Sequence, residues 1–182
     1  MSVSAAIARL ALLPGIVLHE LAHYYFCRLI GTPVEEVSFF SFGSPAGYVT
    51  HRVPKRFRGH TLIVFGPLLV NSIVAVVLYA SAILTWREIA SLPPIDWAPR
   101  LPLLAGGAWL AIVTGLQALP SNGDAISLWR AAKWHRDNGN FLALLAFPLA
   151  LAIRLANWLR GFWIDWIYSG ILFAIALDLS TR

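Results

Sequence analysis

The chain has 182 residues, enough for one domain. It is 58% hydrophobic and only 13% charged, with a mean hydropathy of +0.69; this excludes an ordinary soluble globular protein and points to an integral membrane protein whose solvent is the lipid bilayer. The formal net charge of +5 is modest for a nucleic-acid partner, and the single cysteine, Cys27, excludes an intramolecular disulfide framework.

Residues 5–30 read as the first spanning helix, stopped by Gly31-Thr32-Pro33. The run lacks a basic region at its start and carries a chemical motif, so it is retained rather than cleaved as a signal peptide. The motif is His19-Glu20-Leu21-Ala22-His23, a His-Glu-x-x-His sequence. Residues four apart share one face of a helix. His19 and His23 can therefore aim their imidazoles at a common Zn²⁺, and Glu20 can take a proton from a water that the ion acidifies. Two histidines in an apolar helix also need polar partners, which a metal supplies.

Residues 34–53 are different. Val37, Phe39 and Phe42, then Tyr48, Val49 and His51, flank Gly43-Ser44-Pro45-Ala46-Gly47. Aromatic and β-branched residues around Gly and Pro predict a short β-hairpin. Such a segment is either a surface loop or a hairpin at catalytic depth whose edge pairs with an extended substrate. A basic run follows, then a second span at 59–86. Gly66 and Pro67 allow a kink or close helix approach there, and Asn71 is an amide in an apolar helix that serves as interhelical glue or lines the site.

A third span is predicted at 101–119, where Gly106-Gly107 and Gly115 permit close packing. It runs into Pro120-Ser121-Asn122-Gly123-Asp124. Asp124 has two readings. It is a solvated N-cap for a helix at 125–133, or it is the third protein ligand that a catalytic zinc requires beside one open position. Two further spans are expected at 141–160 and 163–179. The loops after the first and third spans hold most of the basic residues, which places the N-terminus outside and these loops in the cytoplasm. Five crossings then leave the C-terminus inside. This topology brings the ends of the first and third spans to one side, and with them His19, His23 and Asp124.

These motifs resemble the site-2 protease family of intramembrane zinc metalloproteases over residues 5–133. His-Glu-x-x-His matches at His19, Glu20 and His23, and the family's Gly-Pro-x-x-x-Asn element matches at Gly66, Pro67 and Asn71. Phe42-Gly43 and Gly47-Tyr48-Val49-Thr50-His51 look like the family's hairpin segment. Of its third-helix motif, Pro120 and Asp124 match, Gln117 stands where the family has Asn, and Ala125 follows the Asp. The apolar runs predict a single membrane-embedded domain over 1–182 with extra helices at 141–179, and the resemblance implies a three-helix core at about 5–133 within it. It implies an all-α membrane fold of about five spans with a hairpin between the first two. It also implies Zn²⁺ on His19, His23 and Asp124, Glu20 as catalytic base, a transmembrane protein as substrate, and Asn71, Gly66, Gly47 and Tyr48 as substrate contacts. Two other readings fit the same residues. One is a catalytically inactive metal-binding membrane protein, against which Glu20 argues. The other is a small ion or metal transporter, against which the lack of internal repeats argues.

Overall fold

A computed structural model of the chain describes residues 3–182. Six α-helices and one two-stranded hairpin account for most of these residues. They are α1 (Val3–Leu29), β1 (Val34–Ser38), β2 (Tyr48–His51), α2 (Phe57–Ala90), α3 (Leu101–Leu116), α4 (Asn122–Asp137), α5 (Ala146–Leu159) and α6 (Ile164–Thr181). The all-helical class and the hairpin between the first two helices are as the sequence predicts.

The helices bury small residues and expose large ones. Ala75, Ala111, Ala125, Ala132, Ala146 and Ala176 are fully enclosed. Leu69, Ile73 and Val77 on α2 and Leu149, Leu151 and Leu155 on α5 face outward. In water this arrangement forfeits the hydrophobic gain of folding; in lipid it is the expected one, because small residues let backbones approach and tails solvate the rest. Among the described residues, four helical segments are long and apolar enough to cross a bilayer: Ala6–Leu29, Phe57–Ala90, Phe141–Phe162 and Ile164–Thr181. The third expected span is shorter, because α3 ends at Leu116 ahead of Pro120. Gly106 and Gly107 do not make the predicted close approach, since a Cβ at either would meet nothing within 4 Å. Gly115 does, with Ser169 Oγ 2.5 Å from the position of a Cβ.

Side-chain contacts fix the direction of each helix. Trp109 Nε1 donates to Ala11 O (3.1 Å) and His19 Nδ1 to Gln117 O (2.7 Å), so α1 and α3 run the same way. His23 Nδ1 donates to Ile63 O (2.9 Å) and Asn71 Nδ2 to Gly15 O (3.3 Å), so α2 runs against them. Helix α4 then descends to the start of α2, where His135 Nε2 donates to Pro54 O (3.1 Å). Helix α5 climbs back, and Asn157 Nδ2 meets Pro120 O (2.9 Å). From that level α6 continues in the direction of α2. Tyr168 bonds Ser72 (2.8 Å), Ser169 bonds Tyr79 (2.7 Å), and Ser180 O accepts from Arg87 Nη1 at the far end (2.5 Å).

The C-terminus therefore lies beside the end of α2, on the side away from the hairpin. This corrects the expectation that it shares the hairpin's side. The expectation treats the two C-terminal apolar runs as an antiparallel pair, whereas α5 and α6 run in series. Cysteines introduced singly at Lys55 and Lys133 in a Cys27→Ala background are expected to react with an impermeant maleimide from one side of sealed vesicles. A cysteine at Arg182 is expected to react from the other side. Labelling of all three from the same side would contradict this arrangement.

The hairpin pairs β1 and β2 antiparallel, with Val37 opposite Val49, Ser38 opposite Tyr48, and a register shift between Val34 and Glu36. It folds back over α1, where Tyr24 and Phe39 stack edge to face at 6.0 Å between ring centres.

Candidate metal centre

The His-Glu-x-x-His motif lies inside α1, and the helix does what the spacing demands. His19 Nε2 and His23 Nε2 stand 3.2 Å apart on one face. Each ring is fixed from behind at Nδ1, by the carbonyls of Gln117 at the end of α3 and Ile63 on α2. A carbonyl can only accept, so both Nδ1 atoms carry the proton when the rings are neutral. Both Nε2 lone pairs then point at one spot, a repulsive arrangement unless a cation occupies it. Outer hydrogen bonds of this kind set the tautomer of metal-binding histidines.

Asp124 completes the group. Its Oδ1 lies 3.1 Å from His23 Nε2 and its Oδ2 lies 3.6 Å from His19 Nε2. The histidine side chains are 9% and 8% exposed and that of Asp124 is 13% exposed, so water screens the cluster little. His23 Nε2 lies 3.2 Å from His19 Nε2 and 3.1 Å from Asp124 Oδ1, close to the edge of about 3.3 Å that a tetrahedral ion with bonds of about 2.0–2.1 Å requires, and one ligand atom from each of the three residues lies within 4.8 Å of the other two. Among the described residues this is the one group of three or more His, Cys, Asp or Glu able to hold a metal ion.

This corrects the solvated N-cap reading of Asp124, which lies inside the first turn of α4 and is only 13% exposed. The N-cap of α4 is Ser121, and Asp124 is its partner in a capping box. Ser121 N–H donates to Asp124 Oδ2 (2.6 Å), Ser121 Oγ–H does so as well (2.8 Å), and Asp124 N–H returns a bond to Ser121 Oγ (3.2 Å). The box orients the carboxylate, and its other oxygen is free to face His23.

Glu20 borders the same centre. Its carboxylate is close enough to His19, His23 and Asp124 to interact electrostatically with each. Glu20, His23 and Asp124 line a cleft of about 850 Å³ together with Gly47 and Tyr48 of the hairpin. Gly47 has no room for a side chain, because a Cβ would lie 2.7 Å from Glu20 Cγ. Tyr48 lines the cleft, but its hydroxyl donates to Glu36, and that bond raises its pKa above the usual phenol value.

Gly66 and Asn71 sit elsewhere. A Cβ on Gly66 would come within 2.3 Å of the Phe26 ring, so this glycine sets the approach of α1 to α2. Asn71 is fully buried and donates from Nδ2 to Gly15 O (3.3 Å) and Gln117 O (3.1 Å). It thereby steadies the same Gln117 carbonyl that anchors His19. Neither residue lines the cleft. The anchoring carbonyls of Gln117 and Ile63 carry no mark in the sequence, because backbone oxygens are common to every residue.

Comparison of the chain with protein-family models, with curated proteins and with solved structures gives no match. The donor geometry alone therefore establishes a buried His-His-Asp group that can hold a metal ion.

Gly15 supplies a structural test of this geometry. A Cβ there would fall 2.1 Å from Val113 O, and a backbone carbonyl on a packed helix has little room to yield. Gly15→Ala is expected to push α3 from α1, lowering stability by about 1–3 kcal/mol and loosening the Gln117 bond to His19. The expected result is a lower Tm in detergent together with weaker metal retention. An unchanged Tm would contradict the close approach of α1 and α3.

Proposed function

We propose that the chain is an intramembrane zinc metallopeptidase of the site-2 protease type. The observation that carries this reading is the convergence of two Nδ1-anchored imidazoles and one carboxylate on a single point, with Glu20 beside them on an open cleft. Two neutral imidazoles and a carboxylate suit Zn²⁺ and leave one position for water or substrate. When bound, the ion supplies Lewis acidity, which polarises a carbonyl oxygen and makes water acidic near neutral pH.

The chain's own residues do the rest. Glu20 accepts a proton from the attacking water as its oxygen bonds to the peptide carbon, then delivers that proton to the departing amine nitrogen. The products are a carboxylic acid and an amine, so water is consumed and no other reactant is needed. Asp124 and the two histidines hold their positions through the capping box and the carbonyls behind them, which keeps the site preorganised.

The substrate in this reading is a transmembrane segment of another protein. A helical segment hides its backbone in internal hydrogen bonds and must unwind to be cut. The hairpin wall at Gly47 and Tyr48 is the surface against which an unwound stretch lies. The basic residues near the hairpin and on α4, including Lys55, Arg56, Arg58, Arg130 and Lys133, favour a cytoplasmic position for this end. The N-terminus is then outside, and water reaches the site from the cytoplasm.

The test is incubation of the purified protein with single-span membrane proteins in detergent. Cleavage is expected, with loss on chelation and recovery on adding Zn²⁺. A metal-loaded protein that cuts none of them would favour the inactive metal-binding reading.

A further inference from the structure

We propose that Asn157 and Arg160, at the junction of α5 and α6, are positioning residues for the metal ligand Asp124. This rests on the peptidase reading only so far as it puts a metal on His19, His23 and Asp124. Helix α3 ends at Leu116 and α4 starts at Asn122, so a short linker delivers Asp124 to the centre. A helix end leaves carbonyls without N–H partners, and Pro120 has no N–H of its own. The linker carbonyls are held instead by side chains from elsewhere in the fold. Gln117 O accepts from His19 Nδ1 on α1 (2.7 Å) and from Asn71 Nδ2 on α2 (3.1 Å). Pro120 O accepts from Asn157 Nδ2 on α5 (2.9 Å), and Leu119 O accepts from Arg160 Nη2 (3.2 Å).

Arg160 is itself fixed. Its Nε lies 3.1 Å from Asp165 Oδ2 in the first turn of α6, and both side chains are partly buried. Hydrogen bonds from a charged donor are stronger than neutral ones, so the guanidinium ties the junction firmly to Leu119. Asn157 and Arg160 thus grip the two carbonyls immediately before Ser121. Ser121 in turn holds Asp124 Oδ2 through its N–H (2.6 Å) and its hydroxyl (2.8 Å). A planar peptide bond joins Pro120 to Ser121, so a shift at Pro120 is passed on to the capping box and its carboxylate. Metal–ligand distances are held to about 0.2 Å, which makes such support necessary at a ligand that sits next to a linker. Groups that fix a ligand from behind typically govern about 10–100-fold of the metal affinity. The C-terminal helices, which carry no chemical motif, therefore serve the centre through the Leu119 and Pro120 carbonyls.

Two measurements test this. The first is the Kd for Zn²⁺ in detergent, by competition with a chromophoric chelator; both residues also border the cleft, so turnover would mix two effects. Asn157→Leu and Arg160→Met are each expected to raise the Kd about tenfold. Arg160→Lys, which keeps a charged donor, is expected to fall between Arg160→Met and wild type. Asn157→Leu leaves no charge unpaired, so it carries the test if Arg160→Met does not fold. Tyr168→Phe, which removes the bond from α6 to Ser72 on α2 (2.8 Å), is the control for general loosening. It is expected to lower the Tm and leave the Kd unchanged. A wild-type Kd in Asn157→Leu, or an equal rise in Tyr168→Phe, would overturn the proposal. The second measurement is hydrogen exchange of the Ser121 and Asp124 amides in metal-free protein. These amides are expected to exchange about tenfold faster in Asn157→Leu, the size of one lost hydrogen bond. Unchanged exchange would overturn the proposal whether or not the protein holds zinc. Wild-type protein that binds no zinc would overturn the metal centre and the proposal with it, and the exchange difference separates that failure from failure of the brace.

Discussion

Asp124→Asn is expected to strip the protein of tightly held metal while leaving it folded. The variant keeps the size and polarity of the side chain and removes its charge. As the third ligand, the carboxylate neutralises part of the ion's charge and supplies the strongest single attraction in the group. Changes one shell further out typically cost about 10–100-fold in affinity, so loss of the ligand itself is expected to cost at least about 100-fold. Within the capping box, Asn can still accept from Ser121 N–H, so the helix end is expected to lose at most about 1 kcal/mol. Isothermal titration with Zn²⁺ and thermal unfolding of the same sample separate the two effects. Affinity equal to wild type would reduce Asp124 to its capping role and leave His19 and His23 without a third protein ligand.

Glu20→Gln is expected to do the opposite. The amide fits the space beside Gly47, and it leaves the three ligand groups untouched, so the metal is retained. It cannot accept the proton of the attacking water, and general-base catalysis is typically worth about 10²–10⁴-fold. A fall of that size in kcat, with metal content at the wild-type level, is the expected outcome. Near-normal turnover would remove Glu20 from the mechanism. A transporter would show no proteolysis in either protein and a change in ion uptake instead.

How much of this was legible in the sequence depends on how local each feature is. His19, Glu20 and His23 lie within five residues of one helix, and the period of 3.6 fixes their common face before any tertiary contact forms. The hairpin is nearly as local, because the aromatic and β-branched residues Val37, Tyr48 and Val49 flank a Gly- and Pro-rich turn. Asp124 was placed near the histidines by counting spans, an argument that needs only the first three helices to alternate. They do alternate. The alternation stops at α5 and α6, where each apolar run is long enough for a span but the two run in series. Their direction is decided by Asn157 reaching Pro120 and by Arg87 reaching Ser180, and neither contact leaves a trace in hydropathy. The bonds that aim the histidines were hidden for the same reason, since their acceptors are backbone carbonyls 98 and 40 residues away in sequence.

His60 marks the limit more sharply. In sequence it is one polar residue at the start of a spanning helix, and a surface position explains it adequately. Only the fold shows that it is enclosed, that Ser127 lies beside one nitrogen, and that the other has no hydrogen-bond partner among the described residues.

The central claim is a single ion held by His19, His23 and Asp124. X-ray absorption at the zinc edge, on protein purified without chelator, addresses it directly. The expected result is about one Zn²⁺ per chain with only nitrogen and oxygen neighbours at about 2.0–2.1 Å, an imidazole signature that disappears with its metal in His19→Ala and His23→Ala. Stoichiometric zinc that survives in both variants, or a sulfur neighbour from Cys27 at about 2.3 Å, would contradict the site.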